Sequence, residues 1–205
     1  MKKYGRTYHP PISPGATSDD KVMENIDALV AGDLVVTEKM DGENTTIHPH
    51  GTHARSPDSR HHPSRDWLKA FAAGISVQLS EDERVVGEYL FARHSISYDR
   101  LPSYFLGFAW IADDIVQSWD DMIARFTGLG ITPVPLLYRG AYRHRLFDDL
   151  AASLDFRRQE GFVVRVAGAF AESEMPTRMA KYVREGHVQS DTHWTKVEVI
   201  RNGLV

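Results

Sequence analysis

The chain contains no cysteine, so it forms no disulfide and offers no thiolate to a metal or redox centre. No apolar run reaches the length of a membrane span, and the start, Met1-Lys2-Lys3-Tyr4-Gly5-Arg6, leads into Pro10-Pro11 instead of the apolar core of a secretory signal. A soluble, cytoplasmic protein with no membrane partner is the expectation. Internal repeats, low-complexity tracts and long linkers are also missing, which predicts one domain over residues 1–205, long enough to bury an ordinary core. A large charge excess is absent too. The net charge of −4 argues against a protein that coats nucleic acid without regard to sequence. The distribution is uneven, however. Glu81 to Asp121 holds nine acidic and three basic residues, whereas His53 to Ser80 holds four basic and two acidic. A basic lip beside an acidic flank would allow local phosphate contact.

Periodicity and turn residues outline the elements. Ser18, followed by Asp19 and Asp20, predicts a helix with Val22, Ile26, Leu29 and Val30 on one face and Gly32 as its stop. Helices are also expected over 66–73, 119–129 and 146–154. Strands are expected over 34–37, 44–47, 53–56, 85–90, 104–111, 132–138, 161–166 and 178–183. The prolines in 132–138 predict an edge strand. Many strands with few helices point to an α+β class with mainly antiparallel sheets.

The run Thr37-Glu38-Lys39-Met40-Asp41-Gly42-Glu43-Asn44 places a lysine two residues before an Asp-Gly turn, after the β-branched strand Leu34-Val35-Val36-Thr37. A strand-turn-strand junction holds a side chain on rigid backbone, which suits covalent chemistry. Lys39 is therefore the candidate nucleophile. Further charged residues follow at predicted strand ends: Arg55, Glu88, Glu160 and Lys181.

These residues carry a resemblance. Lys39-Met40-Asp41-Gly42, Val86-Gly87-Glu88-Tyr89, Tyr104 to Trp110, Glu160-Gly161-Phe162-Val163-Val164-Arg165 and Met179-Ala180-Lys181-Tyr182 match, in order, motifs I, III, IIIa, IV and V of the covalent nucleotidyltransferase superfamily. That superfamily contains ATP-dependent DNA ligases, RNA ligases and mRNA-capping guanylyltransferases. Glu38 before the lysine, Asn44 five residues after it, Ala54-Arg55-Ser56, and Glu160-Gly161-Phe162 resemble the RNA-ligase form. So does the opening Tyr8-His9-Pro10-Pro11-Ile12-Ser13-Pro14-Gly15, which is similar to the leader of small phage and bacterial RNA ligases.

The resemblance implies an ATP-grasp-like ligase adenylation domain, a nucleotidyltransferase fold with mainly antiparallel sheets flanked by helices. It implies that Lys39 attacks the α-phosphate of ATP, giving a lysyl-AMP phosphoramidate. AMP then passes to an RNA 5′-phosphate, and a 3′-hydroxyl seals the joint. Lys39 would have to lose its proton first, since an unperturbed lysine titrates near pH ~10.4. Arg55 would hold a phosphate, for which a guanidinium fork is suited. Glu88 would contact the ribose and Glu160 a metal, Mg2+ or Mn2+. Phe108 would stack on adenine, with Phe105 as the alternative. Glu38 would read the adenine edge, Asn44 would bond a phosphate or hold the pocket, and Asp41 would orient the turn. Motif V departs from the family pattern, because Met179 stands where many RNA ligases carry a first lysine. Lys181 alone matches, and Arg178 or Arg184 would compensate.

RNA with 5′-phosphate and 3′-hydroxyl ends is the implied partner, with RNA-repair proteins as further candidates. Val205 follows soon after motif V, so no oligonucleotide-binding barrel is expected. DNA-nick sealing, guanylyl transfer, and an adenylate- or RNA-end-binding module that needs a partner to seal are the alternative readings. His48, His50, His53, His61 and His62 suggest a polar loop near phosphate more than a zinc site, since no cysteine accompanies them.

Overall fold

The computed structural model describes residues 2–55, 63–185 and 199–205. In chain order its elements begin with α1 (Asp27–Val30), β1 (Asp33–Lys39), β2 (Glu43–His48), β3 (Gly51–Ala54), α2 (Asp66–Ser76), β4 (Glu83–Tyr89) and β5 (Phe105–Ala112). There follow β6 (Ile115–Val116), α3 (Trp119–Leu129), β7 (Thr132–Pro133), β8 (Leu136–Ala141), α4 (Leu146–Ser153), β9 (Gly161–Val166), β10 (Phe170–Ala171), α5 (Met175–Arg178) and β11 (Met179–Val183). Two sheets result. One has the order β11-β9-β1-β8; the other runs β10-β6-β5-β4-β2-β3, with β7 added beside β5. Every strand pair is antiparallel except β5–β7. The α+β expectation holds. Among the described residues, no helix is long and apolar enough to cross a membrane.

The helices that read clearly in the sequence do so because their apolar faces are continuous. In α3, Ser118 caps the first turn by accepting from the Asp121 amide, Met122, Phe126 and Leu129 are buried, and Gly130 ends the helix in the left-handed region at φ 68°. With Leu68, Ala72 and Ile75 of α2, these side chains join Val85, Phe105 and Leu106 of the larger sheet in one core cluster. A second cluster links the sheets, joining Val36, Phe162 and Val164 to Val86, Ala109 and Ile111.

Two expectations fail, each for a tertiary reason. The helix expected from Ser18 shrinks to α1, because long-range bonds claim the backbone before it. His9 donates its amide to the Lys21 carbonyl, the Met23 amide donates to the His9 carbonyl, and Asp20 turns back to the Thr17 amide and hydroxyl. The strand expected over 132–138 divides into β7 in the larger sheet and β8 at the edge of the smaller one. The joint is stitched at adjacent residues: the Val134 amide donates to the Gly107 carbonyl of β5 at 2.9 Å, and the Pro135 carbonyl accepts from the Glu38 amide of β1 at 2.9 Å. Chain and hydrogen bonds thus tie the two sheets together beside Lys39.

Candidate active site

A cleft opens where the two sheets meet. Its lining includes Thr37, Glu38, Lys39, Met40, Asn44, Arg55, Glu88, Phe108, Val163 and Lys181. Strand register explains the convergence. Thr37 faces Val163 across β1–β9, Val163 faces Lys181 across β9–β11, and Lys39 pairs with Gly161. In the larger sheet, Asn44 of β2 pairs with Glu88 of β4. Each side chain projects from a strand or strand end, which limits its freedom.

Lys39 closes β1, and its Nζ donates to the Oε2 of Glu160, which is buried at the start of β9. Burial opposes the Lys39 ammonium, but the charges of Glu160 and Glu88 outweigh it and raise the pKa above the ordinary lysine value. The lysine is thus held in its charged form, the reverse of what attack on phosphorus requires. Glu88 shows the complementary effect. Burial pushes its carboxyl up to about 8; the positive charge of Lys39 opposes this and the negative charge of Glu160 adds to it. The Gly42 amide donates to Glu88 Oε1 at 3.1 Å, and a Cβ at Gly42 would lie 2.6 Å from the Tyr89 carbonyl oxygen. Only glycine permits this approach of the turn to β4. Asp41 does not face the cleft: its Oδ2 accepts from the Ser95 hydroxyl at 2.7 Å and the Ile96 amide at 2.8 Å, so it orients the turn.

A bulge aims the aromatic ring. Val86 pairs with Ala109 and Gly87 with Gly107, which leaves Phe108 as the extra residue of β5. Phe108 lines the cleft, 5.5 Å from the Tyr4 ring, while Phe105 is fully buried in the core. Of the two, Phe108 is the one that lines the cleft. Glu38 reaches Gln159, whose amide donates to it at 3.0 Å, and burial raises its pKa. Asn44 Oδ1 is buried with no hydrogen-bond partner, an acceptor held ready for a ligand's donor. The Asn44 carbonyl accepts the Arg55 amide at 2.9 Å, holding Arg55 at the rim. Ser56, named with it, lies outside the described residues.

Lys181 also lines the cleft and donates to Asp20 Oδ1 at 3.0 Å. Met179 is buried, with its Sδ 3.5 Å from the Tyr4 hydroxyl. The expected compensation by Arg178 fails, because its guanidinium turns to Glu174 and the Ala28 carbonyl. Arg184 sits beside the site through its amide, which donates to the Glu160 carbonyl at 3.2 Å, but its side chain is not part of the cleft lining. Arg6 is the cation that sequence reasoning missed. It lines the cleft with Tyr4, Gly5 and Thr7, carried there by the bond from the Lys181 amide to the Tyr8 carbonyl. A lone arginine in a short irregular stretch leaves no periodic signal.

The histidines lie elsewhere. His48, His50 and His53 line a separate groove with Glu81, Asp82 and Glu83, while His61 and His62 fall outside the described residues. Burial, then the neighbouring His53 and His50, lowers the pKa of His48. Among the described residues no cluster of three His, Cys, Asp or Glu side chains could hold a metal. Glu160 and Glu88 nevertheless suit a hard cation that takes one or two carboxylates and completes its shell with phosphate and water.

Comparison with known proteins bears on the fold and the family. An archaeal ATP-dependent RNA ligase superposes with a TM-score of 0.62 at 15% identity, covering 89% of this chain and 48% of that one. A Naegleria gruberi RNA ligase variant with ATP and Mn gives 0.56 at 14% identity, covering 89% and 61%. The same ligase with PPi gives 0.54 at 16%, covering 89% and 60%. At such identities the likeness establishes the fold, that of a ligase adenylation domain, and the chain spans about half the length of the archaeal structure. No curated protein matches significantly. The RNA ligase family model, however, matches residues 32–183, well over half of the sequence and the whole run from β1 to β11. The chain belongs to the RNA ligase family, a family of enzymes.

Proposed function

We propose that the chain is an ATP-dependent RNA ligase that works through a covalent lysyl-AMP. The observation that carries the reading is the position of Lys39: a lysine at a rigid strand-turn junction, in one cleft with Glu160, Glu88, Phe108, Arg55 and Lys181. In this reading Lys39 Nζ attacks the α-phosphorus of ATP. The N–P bond forms, the bond to pyrophosphate breaks, and the amine loses its proton. AMP passes next to the 5′-phosphate of an RNA end, and a 3′-hydroxyl displaces AMP as the phosphodiester forms.

Each side chain has a task suited to its chemistry. Phe108 and Val163 hold the adenine, a face that an aromatic ring binds without reading hydrogen bonds. Glu38 meets the base edge, and Glu88, with its raised pKa, meets the ribose hydroxyls. Arg55, Lys181 and Arg6 hold phosphate oxygens, and the unpartnered Asn44 Oδ1 accepts from the nucleotide. Glu160 would hold Mg2+ or Mn2+, which supplies charge neutralisation at the phosphates; Mn accompanies ATP in the Naegleria gruberi structure. A cation held by Glu160 would offset the largest attraction that keeps Lys39 protonated, while burial of Lys39 itself opposes the ammonium. RNA, rather than DNA, follows from the family and from the RNA-ligase character of the residues around Lys39.

Incubating the purified chain with magnesium and α-labelled ATP tests the first step. Wild type is expected to acquire covalent label and Lys39→Ala none. An unlabelled wild type, or equal labelling of the variant, rules the mechanism out. A nicked RNA duplex beside its DNA counterpart then tests the substrate.

A further inference from the structure

The turn that carries Lys39 is held from behind by a loop with no regular structure in its middle, and that loop is held by residues 199–205. The Asp41 amide donates to the Tyr98 hydroxyl at 2.9 Å, while Ser95 and Ile96 bind the Asp41 carboxylate. Asp41 is two residues from the lysine, so a displacement of its peptide passes along the chain to Nζ. The loop at 91–103 lies between β4 and β5. With few strand bonds of its own, it needs an outside support to stay fixed.

Asn202 supplies that support. Its Oδ1 accepts from the Tyr98 amide at 3.0 Å, its Nδ2 donates to the Leu90 carbonyl at 2.8 Å and the Ala92 carbonyl at 3.4 Å, and its own carbonyl accepts from the Tyr104 hydroxyl at 3.0 Å. The side chain is 4% exposed. Backbone bonds flank it: the Asn202 amide to the Phe91 carbonyl at 3.0 Å, the Gly203 amide to the Tyr98 carbonyl at 2.7 Å, and the Leu101 amide to the Gly203 carbonyl at 2.9 Å. At Gly203 a Cβ would lie 2.4 Å from the Asp99 carbonyl oxygen, so only glycine lets this segment lie flat on the loop. A buried polar side chain with all its groups paired specifies one arrangement, because any other leaves donors unmet.

We infer that Tyr98 and Asn202 are positioning residues for the lysine, acting in series: Asn202 fixes Tyr98, Tyr98 fixes the Asp41 peptide, and that peptide sets where Lys39 stands. The inference rests on the reading of Lys39 as the nucleophile. It also assigns a role to Asn202, which lies outside the span 32–183 that matches the RNA ligase family. The side chains serve different purposes. Tyr98→Phe would keep the packing of the ring and lose only the acceptor, whereas Asn202→Ala would remove the bonds to the Tyr98 amide and to the Leu90 and Ala92 carbonyls together.

The test compares wild type, Tyr98→Phe, Asn202→Ala, Asn202→Asp and the Tyr98→Phe/Asn202→Ala double variant of the full chain. Single-turnover self-adenylation is measured well below each melting temperature, together with hydrogen exchange at the Asp41 amide. Tyr98→Phe and Asn202→Ala are expected to slow adenylation by about tenfold with the half-saturating ATP concentration within about twofold, since misplacement of a reacting group lowers the rate of the step more than binding. Asn202→Asp, which keeps the acceptor for the Tyr98 amide, should recover part of the rate. The double variant should be no slower than the slower single one, as expected for residues acting in one chain. Exchange at Asp41 should quicken in every variant. Unchanged exchange in Asn202→Ala overturns the inference whatever the labelling shows. So does a lowered melting temperature with an unchanged adenylation rate, or a double variant in which the two losses multiply. A wild type that takes no label defeats the lysyl-AMP reading, and with it the catalytic consequence, but leaves the exchange result to decide whether the brace exists.

Discussion

Lys39 and Glu160 meet across the seam between β1 and β9, the Nζ of one donating to the Oε2 of the other, although 121 residues separate them in the chain. Their pairing is a property of strand register: Lys39 lies opposite Gly161, one residue from the carboxylate. Removing one partner leaves a charge in a confined place without its counterion, which costs more than removing both. Lys39→Ala and Glu160→Gln are each expected to destabilise the fold, and the double variant to recover about 1–3 kcal/mol relative to the sum of the singles. Urea unfolding of the four proteins measures the coupling, and strict additivity would refute it.

Under the proposed function the two phenylalanines of β5 are expected to divide binding from folding. Phe108→Ala, which removes a partly buried ring, is expected to cost less stability than Phe105→Ala and to weaken ATP by about 10- to 100-fold, as loss of a base-stacking ring of about 1–3 kcal/mol implies. Phe105→Ala should do the opposite, costing about 3–5 kcal/mol of stability because it empties a buried site. Nucleotide titration and thermal unfolding of both variants check the exchange of roles.

Gly161 follows the carboxylate of Glu160 directly, and a Cβ there would lie 1.9 Å from the Tyr182 carbonyl oxygen. Backbone cannot retreat as a flexible side chain would, so Gly161→Ala should part β9 from β11. A loss of about 1–3 kcal/mol is expected from this overpacking, together with a large fall in self-adenylation. A variant that unfolds and labels like wild type would contradict the geometry.

Asp20 ties the irregular leader to Lys181. Burial by itself would raise its pKa, but the bonds from Lys181 and Thr17 prevail and hold the carboxyl well below the ordinary carboxylate range. A depressed folded-state value stabilises the protein fully above the unfolded pKa of about 3.9, and that contribution fades as the pH falls through this value towards the folded one. Asp20→Asn should therefore lower stability by about 1 kcal/mol at neutral pH and flatten its decline below pH ~4. Acid unfolding curves followed by circular dichroism supply the measurement.

What the sequence made legible follows from how each feature is encoded. The strand Gly161–Val166 and the helix Trp119–Leu129 were readable to the residue, because a valine-rich apolar run and a capped apolar face are local signals. Lys39, Glu88 and Glu160 were readable as charged residues at strand ends. The short α1 and the division at Val134–Pro135 were not, because distant backbone groups decide them. Arg6 and Asn202 escaped notice for a related reason. Each owes its place to hydrogen bonds made by segments far away in the chain, and neither sits in a repeating pattern.

The stitch at Val134 and Pro135 has a mechanical meaning. Two adjacent residues each carry a bond to a different sheet, the Val134 amide to β5 and the Pro135 carbonyl to β1, so at that point the sheets are joined by one residue step, about 3.8 Å between neighbouring Cα atoms. That short covalent step is a pivot between the walls, and under the proposed function the fit to a nucleotide would be set by the side chains the walls bear.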